Sequence, residues 1–213
     1  MTLPKRLLDI LGALVLGVVL APVWIVVAGL ILIREGRPVL YVSERMKTPD
    51  VPFQLWKFRT MTVIASDAGV SGGDKTSRIT GTGRWMRRHR VDEIPQLWNV
   101  LRGDISFVGP RPPLRRYVEM FPDLYARVLT SRPGITGLAT LAFHRREEAL
   151  LAECRSGTET EAVYTRRCIP VKARLDLAYA RNRTLCYDIK LMLATVFRGI
   201  PLHRGRRGRG PNP

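Results

Sequence analysis

The sequence predicts an α/β fold that is mostly helical. An N-terminal re-entrant membrane helix, broken at Pro22, precedes a small domain with a short sheet and interfacial helices. Three observations predict it. Residues 10–33 carry no charge and almost nothing polar. Two short segments after them alternate with period two, as strands do. The second half is a succession of helix-length apolar patterns punctuated by Gly and Pro. The chain divides into the membrane helix (1–36), a folded domain (37–203) and a basic tail (204–213) that is expected to be disordered.

In the first element, an apolar run of ~24 residues is long enough to span a bilayer as one straight helix. Pro22 lies near its middle, where it removes a backbone donor and clashes with the carbonyl four residues earlier. Each half is then ~12 residues, or ~18 Å, too short to cross alone. Lys5 and Arg6 precede the run and Arg34 and Arg37 follow it, so neither flank is marked as outside. A hairpin entering and leaving on one face satisfies both flanks. It is preferred to a kinked spanning helix, and a buried soluble helix ranks third.

Pro38–Val42 and Phe53–Met61 read as strands, and the polar, glycine-rich stretch 66–83 as a loop. A helix is expected over Glu93–Arg102, with Asp92 as N-cap, Pro95 in the first turn and Gly103 as the stop. Further helices are expected over Pro113–Phe121, Asp123–Thr130, Arg145–Glu153, Val171–Arg183 and Leu185–Arg198, and a turn over Arg132–Gly137.

A chain of 213 residues with a formal charge of +17 needs an anionic partner: nucleic acid, anionic lipid or a phosphorylated substrate. Cys154, Cys168 and Cys186 form no zinc-like spacing and no even-numbered disulfide framework, which favours a reducing compartment. Chemistry concentrates between Arg84 and Pro112. Asp92 and Glu93 lie there between Arg87, Arg88 and Arg90 on one side and the Gly-Pro-Arg-Pro turn carrying Arg111 on the other. Lys57 and Arg59 can join from the preceding strand. Nearby cations should keep both carboxylates ionised, and an N-cap position adds the positive end of a helix dipole. Carboxylates set among cations suit phosphate chemistry with a metal. Acidic groups interleaved with the basic ones argue against a nucleic-acid backbone as partner, and a structural scaffold has no use for such a cluster.

These residues resemble the bacterial sugar transferases, the monotopic phosphoglycosyl transferases that act on polyprenyl phosphate. The matching elements are KR-LLDI before the apolar helix, KFRTM (57–61), R-x-x-x-x-DE-x-PQ-x-x-N-V-L-x-G (87–103), SFVGPRP (106–112), RPGITG (132–137) and D-x-x-Y (176–179). The resemblance implies a cytoplasmic domain resting on the inner face of the bacterial cytoplasmic membrane. It implies two steps: Asp92 attacks the β-phosphate of a nucleotide diphosphate sugar, a UDP-sugar by preference, and polyprenyl (undecaprenyl) phosphate then takes the phosphosugar. It further implies Mg²⁺ held with the help of Glu93, and Lys57, Arg59, Arg87 and Arg111 as phosphate ligands. Asp176, Arg132 and Thr136 are further site candidates. Membrane lipids are expected partners, nucleic acid is not, and a homo-oligomer is compatible with the pattern. Trp56, Trp85 and Trp98 are candidates for the lipid interface. Residues 138–153 depart from the pattern of several relatives and could touch the sugar or nucleotide. His144 within them reads as structural or solvated.

Overall fold

The structure, a computed structural model, describes residues 1–63 and 73–197. It is mostly helical, with two small two-stranded sheets. Residues 64–72, which include the first part of the expected loop, lie outside the described residues, as does the tail.

Helix α1 (Leu3–Glu35) is long and apolar enough to cross a membrane by length and composition. It is helical throughout, with Pro22 inside it, so the expected break in helical backbone is absent. A proline removes one hydrogen bond, and the remaining ladder of a 33-residue helix is sufficient to carry the helix past it. The helix is docked on both sides of Pro22. On the N-terminal side, Arg6 donates to the carbonyls of Val100 and Leu101 at 2.6 and 2.7 Å, and Asp9 accepts from Ser106 Oγ and Phe107 N–H at 3.0 and 3.1 Å. On the C-terminal side Trp24 meets Phe58, and Val27 and Ile31 are buried with Phe58 and Met86. Between these anchors Leu14, Val15, Val18 and Val19 are exposed.

Strands β1 (Leu40–Met46) and β2 (Pro52–Phe58) form an antiparallel hairpin, each displaced by a few residues from the segments expected. Helix α2 (Gly81–His89) starts within the expected loop; Thr80 caps it, its hydroxyl accepting from the Gly83 N–H at 2.9 Å. Helix α3 (Gln96–Arg102) ends at Gly103, whose φ of 77° is the left-handed stop that glycine supplies. The fully buried Asn99 side chain fastens α3 to β2. It accepts from Trp56 N–H at 3.1 Å and donates to the Gln54 carbonyl at 2.7 Å.

Strands β3 (Ser106–Val108) and β4 (Gly134–Thr136) pair in parallel. The second replaces part of the expected turn. Side-chain-free Gly109 and Gly134 make the pairing feasible, since a Cβ on either would collide with the backbone of the other segment. Helices α4 (Arg115–Met120) and α5 (Pro122–Val128) match expectation within two residues. Helix α6 (Leu138–Ala152) begins seven residues earlier than expected. Helix α7 (Gly157–Val163) and a π-helical turn (Tyr164–Cys168) were not expected. Helices α8 (Ile169–Asn182) and α9 (Leu185–Val196) close the described chain, and the three cysteines are free. The largest buried cluster joins Met46 of β1 to Tyr117, Tyr125, Phe143, Tyr164 and Ile169 from the helices.

Candidate active site

The site is built on a sharp turn. Helix α2 stops at Arg90, the one non-glycine residue with positive φ (57°) among the described residues. Its N–H bonds back to the carbonyls of Arg87 and Met86. A 3₁₀ turn over Val91–Glu93 follows, and α3 begins only at Gln96, after Pro95. Asp92 is therefore not the N-cap that its position suggests, and the expected contribution from the α3 dipole is withdrawn. Val91 and Ile94 flank the carboxyl pair and pack on Val27, Ile31, Phe58 and Met86. The turn bearing the acids thus rests on α1.

Asp92 and Glu93 are each 8% exposed, yet their surroundings differ. Glu93 is saturated with cations. Its Oε1 accepts from Arg111 at 3.0 Å and Lys57 at 3.5 Å, and its Oε2 from Arg90 at 2.8 Å. Asp92 accepts no hydrogen bond from the described residues and lines an open cavity of about 530 Å³, a size suited to a small-molecule ligand.

Electrostatics separate the two acids further. Burial is the strongest single effect on Glu93 and favours its neutral form. Arg111, Lys57 and Arg90 together outweigh it and hold the carboxyl well below the usual range. For Asp92 burial wins and raises the carboxyl above its ordinary value of 3.8; Lys57, Arg87 and Arg111 pull down while the Glu93 charge pushes up. Cations thus dominate at Glu93, and burial dominates at Asp92. Lys57 is lowered to about 8, chiefly by burial and then by Arg111, against the pull of Glu93.

The cationic wall comes from three elements. β2 delivers Lys57. α2 delivers Arg87, whose Nε donates to Thr60 Oγ1 at 2.9 Å, while Arg88 is exposed and absent from the cavity lining. The third is the segment after β3, where Pro110, Pro112 and Pro113 have no N–H to donate and favour extended backbone. Gly134 N–H to the Pro110 carbonyl (2.8 Å) and Met46 N–H to the Pro113 carbonyl (3.0 Å) pin it, so Arg111 points at Glu93. Arg45 also lines the cavity. Sequence reasoning missed it, although the alternation of β1 placed it on the same face as Ser43 and Tyr41.

Arg59 lines the cavity, but its guanidinium is engaged elsewhere. It donates to the carbonyls of Glu35 and Gly36 at 2.8 Å each and of Arg37 at 3.2 Å, satisfying backbone at the end of α1. Asp176 lines the cavity on the wall opposite in sequence terms, from α8. Arg132 and Thr136 are not brought to it. Arg132 lies beside Gly103 and Arg6, and the Thr136 hydroxyl meets that of Thr195 at 2.8 Å. Of the tryptophans, Trp85 and Trp98 are about half exposed, while Trp56 is partly buried in the hairpin. His144 is an exposed cavity residue, 3.3 Å from Glu148 one turn on.

A cavity with an unengaged carboxylate, a second one locked by three cations and a wall of further cations is fitted to a phosphorylated, anionic ligand. The comparisons agree. The chain is 32% identical over 92% of its length to a UDP-glucose:undecaprenyl-phosphate glucose-1-phosphate transferase of Klebsiella pneumoniae, of which it spans only 40%. It is 34% identical over 91% of its length to an enzyme of the same name from Caulobacter vibrioides, spanning 68% of that protein. To a UDP-N-acetylgalactosamine-undecaprenyl-phosphate N-acetylgalactosaminephosphotransferase of Aeromonas hydrophila it is 30% identical over 90% of its length, spanning 42% of it. The bacterial sugar transferase family matches residues 1–201, nearly the whole sequence, and the chain belongs to that family.

Proposed function

We propose that the protein transfers a phosphosugar from a UDP-sugar to undecaprenyl phosphate, through a covalent intermediate on Asp92. The contrast between an Asp92 that accepts no hydrogen bond from the described residues and a Glu93 held by Arg111, Lys57 and Arg90 carries this reading. An Asp92 oxygen attacks the β-phosphorus, the bond to the bridging oxygen breaks, and UMP leaves with that oxygen. An oxygen of undecaprenyl phosphate then attacks the same phosphorus. The bond to Asp92 breaks, giving the undecaprenyl diphosphate sugar and restoring the carboxylate. Raised basicity improves Asp92 as a nucleophile, and Lys57, Arg87 and Arg111 offset the repulsion between its charge and the diphosphate.

Mg²⁺ fits the donor chemistry. Among the described residues no three His, Cys, Asp or Glu side chains cluster into a self-sufficient metal site. Mg²⁺ is commonly held by one or two carboxylates together with substrate phosphates, and adjacent Asp92 and Glu93 match that mode. Glu93 would hold the ion, its 3.5 Å contact with Lys57 being the longest of its ionic bonds. The ion would neutralise phosphate oxygens as charge shifts between them.

The same reading puts the protein at the cytoplasmic face of the bacterial inner membrane, with membrane lipids as partners, and the long apolar α1 supports it. One domain grips α1 at Arg6 and Asp9 and again at Trp24 and Ile31, which supports a re-entrant course with both ends on one side. The lipid acceptor's phosphate would then meet Asp92 at headgroup depth. Release of UMP from a panel of UDP-sugars, given undecaprenyl phosphate and Mg²⁺, tests the reaction. No release from any of them would refute it.

Two variants probe the cationic wall. Arg111→Lys keeps the charge and loses the planar fork, so kcat/KM should fall about tenfold; an unchanged value would remove Arg111 from the phosphate site. Activity should also depend on pH at both ends. Asp92 must be deprotonated, so the acid limb of kcat/KM lies above the ordinary aspartate value of 3.8. Lys57 must be protonated, so activity declines as pH rises through about 8. Lys57→Arg should carry that alkaline limb beyond the accessible range, and a limb left in place would assign it to another group.

A further inference from the structure

The cavity has a second wall that the proposed reaction does not use. Where α6 and α8 pack together, Lys172 Nζ donates to Glu147 Oε1 at 2.8 Å and to the Tyr164 hydroxyl at 3.2 Å. One turn further along α8 lies Asp176, 94% buried, whose Oδ1 has no hydrogen-bond partner. All four side chains line the cavity that holds Asp92. A buried polar atom left unpaired is costly, and such atoms in a cavity wall are candidates for ligand contact.

The two walls differ in charge. Lys57, Arg87 and Arg111 make the Asp92 side cationic, whereas Glu147 and Asp176 outnumber the single Lys172 on the α6–α8 side. An anion is unwelcome there. A neutral group rich in hydroxyls is suited to it, because adjacent hydroxyls can donate to a carboxylate and accept from an ammonium. Burial also pushes the Asp176 carboxyl up to about 7, with Lys172 opposing, which marks a group in a dry setting that a ligand could complete.

We propose that Asp176, with the Glu147–Lys172 pair, forms the subsite that receives the hydroxyl groups of the transferred sugar and so contributes to sugar choice. The inference rests on the reading of the protein as a UDP-sugar transferase and adds the position of the sugar. Asp176 Oδ1 accepts from a sugar hydroxyl, while Lys172 and Glu147 orient its neighbour. The placement also gives a role to residues 138–153, which supply Glu147. Sites built to hydrogen-bond a hydroxyl discriminate strongly against ligands lacking it, because their polar groups are left unpaired.

Binding of UDP and of UDP-hexoses to the full chain in nanodiscs, measured by calorimetry, tests this. Asp176→Asn should weaken the best-bound UDP-hexose about tenfold and leave UDP within about twofold. Unchanged UDP affinity also reports an intact fold. Glu147→Gln should show the same selective loss and decides the matter if the first variant fails to fold. Equal losses for UDP and UDP-hexose would move the subsite to the nucleoside and overturn the proposal, as would no loss in either variant. A wild-type protein that binds neither UDP nor any UDP-hexose would defeat the transferase reading itself.

Discussion

Asp92→Asn is expected to abolish sugar-phosphate transfer, lowering kcat about 10⁴-fold or more, and to leave no phosphosugar attached to the protein. The substitution keeps the shape of the side chain. Asp92 accepts no hydrogen bond from the described residues, so little is lost structurally. What disappears is the oxygen nucleophile. Glu93→Gln should behave differently. It removes the charge that Arg111, Lys57 and Arg90 surround, at contacts of 3.0, 3.5 and 2.8 Å, and leaves three closely spaced cations to repel one another. Its activity should fall about 10²–10³-fold through misplaced cations, while the adduct on Asp92 still forms slowly. Incubation with a UDP-sugar labelled in the sugar, followed by denaturation and intact-mass analysis, separates the two. An adduct on Asp92→Asn, or activity within tenfold of wild type, would assign the nucleophile elsewhere.

Much of this site was legible in the sequence, for reasons that can be named. The acids, Arg87 and Arg111 lie within twenty-odd residues of each other and are set by Gly and Pro signals whose geometry is nearly local. Gly103 ended α3 as its sequence position required. Burial was less legible, and it reverses the sign of the shift at Asp92. Local capping rules made Asp92 an N-cap, but the left-handed Arg90 directs the chain into a 3₁₀ turn and α3 starts beyond Pro95. The β3–β4 pairing was hidden because three-residue strands show no alternation and the second lies inside a Pro-Gly segment that reads as a turn. Arg59 illustrates the same limit in a side chain. Its sequence neighbours are basic and phosphate-like in pattern, whereas its partners are carbonyls more than twenty residues away.

The N-terminal Lys5 and Arg6, expected as simple charged flanks, have structural partners, and the largest loss of stability should come from cutting one of them. Asp188 is 3% exposed; its Oδ2 lies 2.6 Å from Lys5 Nζ, and its Oδ1 accepts from the Tyr179 hydroxyl at 2.7 Å. Lys5 also donates to the Val108 carbonyl at 3.0 Å, so one ammonium joins α1, β3, α8 and α9. Asp188→Ala leaves the largely buried Lys5 ammonium with its charge uncompensated, and leaves Tyr179 only the longer bond to the Val108 carbonyl at 3.3 Å. Removing one partner of such a pair is destabilising by about 3–5 kcal/mol, whereas replacing both by apolar groups is often nearly neutral. Thermal unfolding in detergent should therefore drop by about 10 °C for Asp188→Ala, and Lys5→Met with Asp188→Leu should recover most of it. A drop of less than about 2 °C would mean that water already screens the pair. Because Val108 immediately precedes the turn bearing Arg111, loosening this anchor should also blur the cationic wall. Activity in Asp188→Ala should then fall even at temperatures where the protein remains folded.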